Sequence, residues 1–151
     1  KLRVNFVFLP NKNHIYTTKR ISRIRLKKTD QILCAKYRKG HFEGVIDVMD
    51  RLTKLIKPKK IFMGEKDMQQ LHLVKSYIEK KYKSEVVSCP TIRDNKKLPL
   101  SSRNLLLSHI EVKIEYLEIR KIKNLKISNK IQNAKIFIAY YLRNIRLIDN
   151  I

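Results

Sequence analysis

The sequence predicts an alpha/beta protein whose parallel strands are joined by crossover helices, and two observations support this prediction. Three short apolar runs have the length and composition of strands: Val4–Leu9, Lys60–Met63 and Val86–Cys89. In two longer segments, Val45–Ile56 and Leu71–Ile78, apolar residues recur at helical spacing. Such alternation of strands and helices is typical of a parallel sheet, because parallel strands need long crossover connections.

The first part of the chain predicts one strand followed by less regular structure. Val4–Leu9 is rich in β-branched and aromatic residues and predicts a buried strand that Pro10 ends. Asn11–Thr18 predicts a polar loop, and the basic stretch from Ile21 to Leu26 predicts an edge strand. Because Lys36–Gly44 holds two of the three glycines of the chain, we expect a tight loop there.

The remaining elements place one polar segment at an edge of the sheet. The Lys60–Met63 strand runs directly into Gly64, and Asp67 is placed to cap the helix that follows. This junction falls at the carboxyl end of a parallel strand, where ligands gather in alpha/beta folds. Further along, Ile114–Ile119 predicts a strand and Ile131–Leu142 a helix, both in a small second domain.

The charge of the chain is compatible with several kinds of anionic partner. A net charge of +22, from 35 Lys and Arg against 13 Asp and Glu, attracts any polyanion. The basic residues are spread along the whole chain, however, and no cationic arm or helix stands out. We therefore expect no dedicated nucleic-acid face. Phosphorylated small molecules would be attracted by the same charge.

Other compositional features favour a cytoplasmic protein of one domain, or of one domain and a fragment of another. With 151 residues and 43% hydrophobic content, the chain can build a core, and no apolar run approaches membrane-spanning length. Cys34 and Cys89 lie far apart and predict buried free thiols in a reducing compartment. The four histidines are equally scattered, so the sequence indicates no zinc or iron site.

The segment Gly64–Gln70 combines residue types suited to a nucleotide and a small polar substrate. Glycine lets the backbone approach a phosphate, the following helix offers unpaired amides, and Lys66 adds a mobile cation. Asp67 could face a ribose hydroxyl or a magnesium ion carried by the nucleotide. Gln69 and Gln70 could each bind a polar substrate through the side-chain amide. A solvated turn with a capping aspartate would have the same spacing.

Two further groups of residues are candidates for the same chemistry. Ser101–Asn104 contains two hydroxyls, a guanidinium and an amide, which could stabilise charge on a leaving pyrophosphate. A helix cap with an exposed arginine explains this segment equally well. Arg38 and His41 lie on the glycine-containing loop and are accessory candidates, although a lone loop histidine is more often incidental than catalytic.

Three segments taken together resemble the pantothenate synthetase family, also called the pantoate–beta-alanine ligases. They are RKGHFEGV (38–45), IFMGEKDMQQL (61–71) and PTIRDNKKLPLSSRNLLLS (90–108), in the order of the family and at about its spacing. A weaker resemblance extends to VNFVFLP before this block, and to IEYLEI and RLIDN after it.

The resemblance implies a Rossmann-like, nucleotidylyltransferase-like fold and an ATP-dependent ligase in coenzyme A biosynthesis. It implies an incomplete nucleotide- and pantoate-binding domain over 1–92 and a shortened α+β C-terminal lid domain over 93–151. Pantoate would attack the alpha-phosphate of ATP, carried with Mg2+, to give pantoyl adenylate and pyrophosphate. The amine of beta-alanine would then displace AMP to give pantothenate. A homodimer is also implied.

The resemblance also assigns roles to individual residues. Gln70 matches a pantoate-binding glutamine, and Ile92 would line the adenine pocket through its backbone. Charge stabilisation falls to Lys66, Ser101, Ser102 and Arg103, with no protein side chain implied as a metal ligand. The full set implied to bind ATP is Gly64, Glu65, Lys66, Asp67, Ile92, Leu100, Ser101, Ser102 and Arg103.

The chain departs from the family pattern in three places. Lys96 and Lys97 stand where the family has Asp-Gly, and Pro99 and Leu100 stand where it has Ala and Met. A helical stretch that the family has before its C-terminal strand is lost between Ser108 and Ile114. The chain also starts downstream of the family's N-terminal nucleotide loop, so the catalytic histidine implied there is absent, as is a further pantoate-binding glutamine implied in the same region. We therefore expect little ligase activity from this chain by itself.

A second function remains open at the level of sequence. A basic nucleic-acid-binding or scaffolding module could retain the nucleotide-site sequence without activity. Salt separates the two functions, because binding to a phosphate backbone collapses as salt rises, whereas pantoyl adenylate binding depends on Gln70.

Overall fold

The structure, a computed structural model, describes residues 3–16, 24–106 and 112–151. Within these ranges the helices are α1 (Lys12–Ile15), α2 (Leu33–Tyr37), α3 (His41–Ile56) and α4 (Met68–Lys81). The strands are β1 (Lys60–Gly64), β2 (Glu85–Cys89), β3 (Val112–Lys121), β4 (Ala134–Leu142) and β5 (Ile145–Asn150). Short 3-10 helices occupy Lys28–Asp30, Glu65–Asp67 and Ser102–Leu106. None of the described helices is long and apolar enough to cross a membrane.

The predicted parallel sheet with a crossover helix is confirmed. β1 and β2 pair in parallel, from Lys60 opposite Glu85 to Gly64 opposite Cys89, and α4 connects them. Val74 and Ile78 of α4 are fully buried between this sheet and α3. Val86 of β2 is buried in the same core. The helical periodicity succeeded here because these apolar residues face one core.

The second sheet is antiparallel, in the order β3-β4-β5. The predicted strand at Ile114–Ile119 is confirmed as part of β3, but the predicted helix at Ile131–Leu142 is wrong, because this segment contains β4. Its β-branched and aromatic residues favour a strand, and Phe137 and Ala139 are buried at alternate positions. Asn133, with a φ of +56°, turns the chain before the strand begins.

The predicted strand at Val4–Leu9 is also wrong. No described strand pairs with this segment, and its side chains are exposed, including Phe6 at 95% and Leu9 at 90%. A strand needs a neighbour for its backbone hydrogen bonds, and apolar composition does not supply one.

Three other predictions for the first part of the chain need correction. The predicted loop at Asn11–Thr18 contains the short helix α1, capped by Asn11, and its residues 17 and 18 lie outside the described ranges. The predicted edge strand at Ile21–Leu26 has its first part outside those ranges, and Ile24–Leu26 is irregular. The loop predicted at Lys36–Gly44 is only a turn between α2 and α3, where Gly40 adopts a φ of +76°.

The loop before the Ser-Ser-Arg segment places a lysine in a backbone conformation that favours glycine. The Asp94 carboxylate accepts hydrogen bonds from the backbone amides of Lys96 and Leu98, both at 2.9 Å. Lys97 lies between these two residues with a φ of +62°, in the left-handed region that glycine adopts without steric cost.

We expect Lys97→Gly to raise the free energy of unfolding by about 1 kcal/mol, because it relieves the left-handed backbone. Lys96→Gly is the matched control, since Lys96 does not have a positive φ. At that position glycine only raises the conformational entropy of the unfolded chain, which lowers stability. Urea denaturation of both variants measures the difference. Equal stabilities of the two variants would show that the turn is not strained.

Candidate functional site

A cleft of about 400 Å³, open solvent included, lies between the turn that precedes α3, the start of α4 and the second sheet. It collects six of the ligand-binding candidates singled out in the sequence: Arg38, His41, Lys66, Asp67, Gln69 and Gln70. The opposite wall comes from the second sheet, through Tyr116, Phe137, Ile148, Asp149 and Asn150. The two sequence segments 38–45 and 61–71 therefore meet at one site.

The second half of the Gly64–Gln70 segment, from Lys66 onward, lines this cleft, and it follows β1 after Gly64 and Glu65. A Cβ added at Gly64 would meet no atom within 4 Å, so the space beside that backbone is open. Asp67 occupies the N-cap position of α4, but its side chain makes no capping hydrogen bond, so the prediction of a capping aspartate is wrong. Its carboxylate is exposed at the cleft instead.

Two cationic side chains of the cleft lack strong partners. Among the described residues, neither Arg38 nor Lys66 makes a side-chain hydrogen bond or a salt bridge. Glu65, by contrast, accepts a hydrogen bond from Ser88 Oγ and lies 3.7 Å from Lys135 Nζ. The cleft therefore holds two cations whose charge is available to an anionic ligand.

His41 contributes a neutral imidazole rather than a third positive charge. Burial lowers its pKa from the ordinary value of 6.5, and the positive charges of Arg38 and Arg146 lower it further. Asp67 opposes this shift more weakly. At neutral pH the ring is thus suited to exchange hydrogen bonds with a ligand.

The two adjacent glutamines have different roles. Gln69 is 5% exposed, and its Nε2 donates to the carbonyl oxygens of Asp30 and Ile32 at 3.1 and 2.7 Å. Its Oε1 accepts from the amide of Ala35 at 3.3 Å. Both residues line the cleft, but Gln70 makes no such bond within the described part of the chain. Of the two, only Gln70 is free to bind a substrate.

Gln69 holds the backbone on both sides of Leu33, which is buried and has a φ of +48°. A bulky residue in this region is uncommon and needs support from its surroundings. The next residue, Cys34, is buried, and its sulfur lies 3.1 Å from Tyr116 Oη and 3.4 Å from Arg146. Both cysteines are free, as predicted, although Cys89 is only half-buried.

The Ser101–Asn104 segment lies beside the cleft and does not line it. Arg103 donates to the carbonyl oxygen of Arg146 in β5 at 3.0 Å, and its own amide donates to Ser101 Oγ at 3.3 Å. Ser102 makes no described side-chain bond. Ile92 and Leu100 are exposed and joined by a backbone hydrogen bond of 2.9 Å. The structure alone does not bring this segment into contact with Lys66 or Gln70.

Sequence reasoning did not identify the residues that connect these parts. Asp149 and Asn150 lie in the cleft wall, and Arg146 donates to the Glu115 carboxylate, which lowers the pKa of Glu115. The only available signal was the weak resemblance of RLIDN to the family. Their partners lie far away in sequence, so local patterns could not reveal them.

The site and the fold together define a class of protein: a nucleotidylyltransferase-like alpha/beta protein with a small antiparallel sheet over a cationic cleft. Comparison with known families is specific. The sequence model described as Pantoate-beta-alanine ligase matches residues 1–113. The chain therefore belongs to the pantoate–beta-alanine ligase family, as the resemblance of its motifs implied.

Similar curated proteins and solved structures agree with this assignment. The chain is 44% identical to a bifunctional pantoate ligase/cytidylate kinase of Prochlorococcus marinus, over 86% of this chain and 24% of that protein. It is 35% identical to the pantothenate synthetase of Francisella tularensis subsp. novicida, over 99% of this chain. The chain spans only 65% of the length of that relative.

Two crystal structures have the same fold. The pantothenate synthetase of Thermus thermophilus gives a TM-score of 0.85 at 26% identity, covering 94% of this chain and 67% of that one. A pantoate-beta-alanine ligase of Francisella tularensis, complexed with beta-gamma ATP and beta-alanine, gives 0.75 at 30% identity, covering 92% and 61%.

We expect Gln69→Ala to lower the free energy of unfolding by about 3 kcal/mol, because it leaves buried backbone groups around Leu33 without partners. Gln70→Ala is the matched control and should change stability by less than about 0.5 kcal/mol. Chemical denaturation monitored by circular dichroism compares the two. Equal losses would contradict the assignment of a structural role to Gln69 alone.

Proposed function

We propose that this chain contributes to the ATP-dependent condensation of pantoate with beta-alanine. The observation that carries the proposal is the meeting of Arg38, Lys66 and Gln70 in one cleft, in a chain of this family. Pantoate and the ATP phosphates are anions, and both steps of the reaction move negative charge. The complex of the Francisella relative with beta-gamma ATP and beta-alanine supports the same substrates here.

In the first step the carboxylate of pantoate attacks the alpha-phosphorus of ATP and pyrophosphate leaves. In the second step the amine of beta-alanine attacks the acyl carbon, AMP leaves, and the ammonium proton is lost to solvent. Neither step needs a covalent enzyme intermediate. The protein would act by holding the reactants and stabilising charge on the phosphates.

We assign Gln70 to pantoate and Lys66 to the ATP phosphates. Gln70 presents a donor and an acceptor at the cleft, which suits the hydroxyls and carboxylate of pantoate. Lys66 has no competing carboxylate partner among the described residues. Arg38 and His41 lie on the same side and are accessory residues in this proposal.

The second segment would complete the ATP site. Ser101, Ser102 and Arg103 would contact the phosphates, and Ile92 and Leu100 would contact the adenine. Ile92 would do so through its backbone, and the exposure of Ile92 and Leu100, at 66% and 57%, supports access of a base to this edge. Arg103 uses only Nη1 to donate to β5, so the other donors of its guanidinium would serve the phosphates.

The residues present fit a magnesium ion brought by the nucleotide. The described residues contain no cluster of three or more acidic, cysteine or histidine side chains that could hold a metal. Asp67 offers one exposed carboxylate at the cleft. Mg2+ is commonly held by one or two carboxylates together with substrate phosphates, so Asp67 is the residue that would contact it. The ion would neutralise phosphate charge.

Family membership and the cleft favour this function over a basic nucleic-acid-binding or scaffolding module. We also propose the division into a nucleotide- and pantoate-binding domain, 1–92, and a lid domain, 93–151. The separate parallel and antiparallel sheets support it.

A homodimer stays a prediction, which sedimentation velocity would test. A cytoplasmic location also stays a prediction, and the two free cysteines support it.

We expect Lys66→Met to weaken ATP binding by about tenfold or more, because one charge-assisted contact to phosphate is lost. Lys80→Met is the matched control: it makes the same change of charge at the exposed far end of α4. Equilibrium dialysis with labelled ATP at two salt concentrations measures both. Equal losses in the two variants, with a steep dependence on salt, would instead favour the polyanion-binding module.

A further inference from the structure

The last residue pair of β5 contacts both segments that carry the proposed ATP site. Asn150 is 2% exposed, and its Nδ2 donates to the carbonyl oxygens of Glu65 and Lys66 at 2.8 and 2.9 Å. Its Oδ1 accepts from Lys135 Nζ at 3.0 Å. Both amide hydrogens of one buried side chain are therefore committed to the Gly64–Gln70 segment.

The neighbouring residue holds the other segment. Asp149 receives two hydrogen bonds of 2.9 Å from the guanidinium of Arg93, which follows the predicted adenine contact Ile92. Arg93 also donates to the carbonyl oxygen of Asn150 at 3.0 Å. Together with the bond from Arg103 to Arg146, this places both ends of the 93–103 segment on β5.

We propose that Asp149 and Asn150 are positioning residues that set the relative placement of the two ATP-binding segments. The inference rests on the proposed function, because it concerns how the same site is assembled. Asn150 fixes the peptide groups on either side of Lys66, and so the direction in which Lys66 leaves the backbone. Asp149 fixes Arg93, and so the start of the segment that leads to Ser101.

The charges explain why an asparagine and an aspartate stand in these places. Carbonyl oxygens need a donor, and a carboxylate at position 150 would face two of them without a hydrogen to donate. The carboxylate of Asp149 lies in the wall of a cleft that should attract anions. The bidentate bond from Arg93 cancels its charge there, so that it does not repel a phosphate.

Asn150→Asp tests the first contact in the full chain, since it keeps the shape of the side chain and removes its donors. It also adds a negative charge, and the double-mutant cycle below separates direct repulsion of ATP from positioning. In the absence of ligand, we expect the backbone amide NMR signals of Lys66 and Asp67 to shift and broaden. We also expect ATP affinity to fall about tenfold under conditions where circular dichroism shows a folded protein. Unchanged amide signals together with unchanged affinity would overturn the proposal.

A double-mutant cycle separates positioning from a general loss of stability. If Asn150 acts through Lys66, then Asn150→Asp combined with Lys66→Met should weaken ATP binding by less than the product of the two single effects. Multiplying effects would overturn the proposal, because they would show that Asn150 affects binding independently of Lys66.

Arg93→Lys tests the second contact and serves if Asn150→Asp does not fold. It keeps the positive charge but loses the planar fork that binds Asp149 through two bonds. We expect the amide signals of 92–104 to shift and ATP affinity to fall, and wild-type signals and affinity would overturn the proposal. If the wild-type chain binds no ATP, the proposed function fails, and the amide signals of the ligand-free variants decide the positioning role.

Discussion

The hydrogen bonds from Asn150 to the carbonyl oxygens of Glu65 and Lys66 join the two sheets at the point where the cleft forms. The parallel sheet supplies the loop, and the antiparallel sheet supplies a buried amide that holds it. A second connection runs from Arg146 and Tyr116 to Cys34, beside the turn that carries Arg38. Both segments of the wall that faces the second sheet are therefore held by residues of that sheet, which makes this sheet a structural part of the site.

Electrostatics in this molecule depend on which charges are paired more than on their total. The net charge is +22, yet several cations near the cleft already have carboxylate partners, such as Arg93 with Asp149 and Arg146 with Glu115. Arg38 and Lys66 remain without a salt bridge among the described residues. A cleft whose other charged side chains are in salt bridges, and which keeps two available cations, can select a compact anion. Charge spread over the surface attracts any polyanion.

Local patterns predicted the elements that form around the first core and failed where distant residues decide the structure. The helix at Val45–Ile56 and the strand at Lys60–Met63 follow from the sequence pattern, because one face of each packs against the core, with Ile61 and Met63 of the strand half-buried. The Val4–Leu9 run has strand composition but no described partner. The segment Ile131–Leu142, predicted to be a helix, contains β4 because it pairs with β3 and β5. Likewise, the sequence placed Gln69 and Gln70 together, and only the contacts with Asp30 and Ile32 separate their roles.

The central claim is that the segments 64–70 and 92–104 form two sides of one ATP site. Titration of the isotopically labelled chain with ATP, followed by backbone amide NMR, tests it most directly. The account predicts that the signals of both segments shift together along one saturable binding curve. Shifts confined to one segment, or scattered without saturation over exposed lysines of the surface, would contradict it.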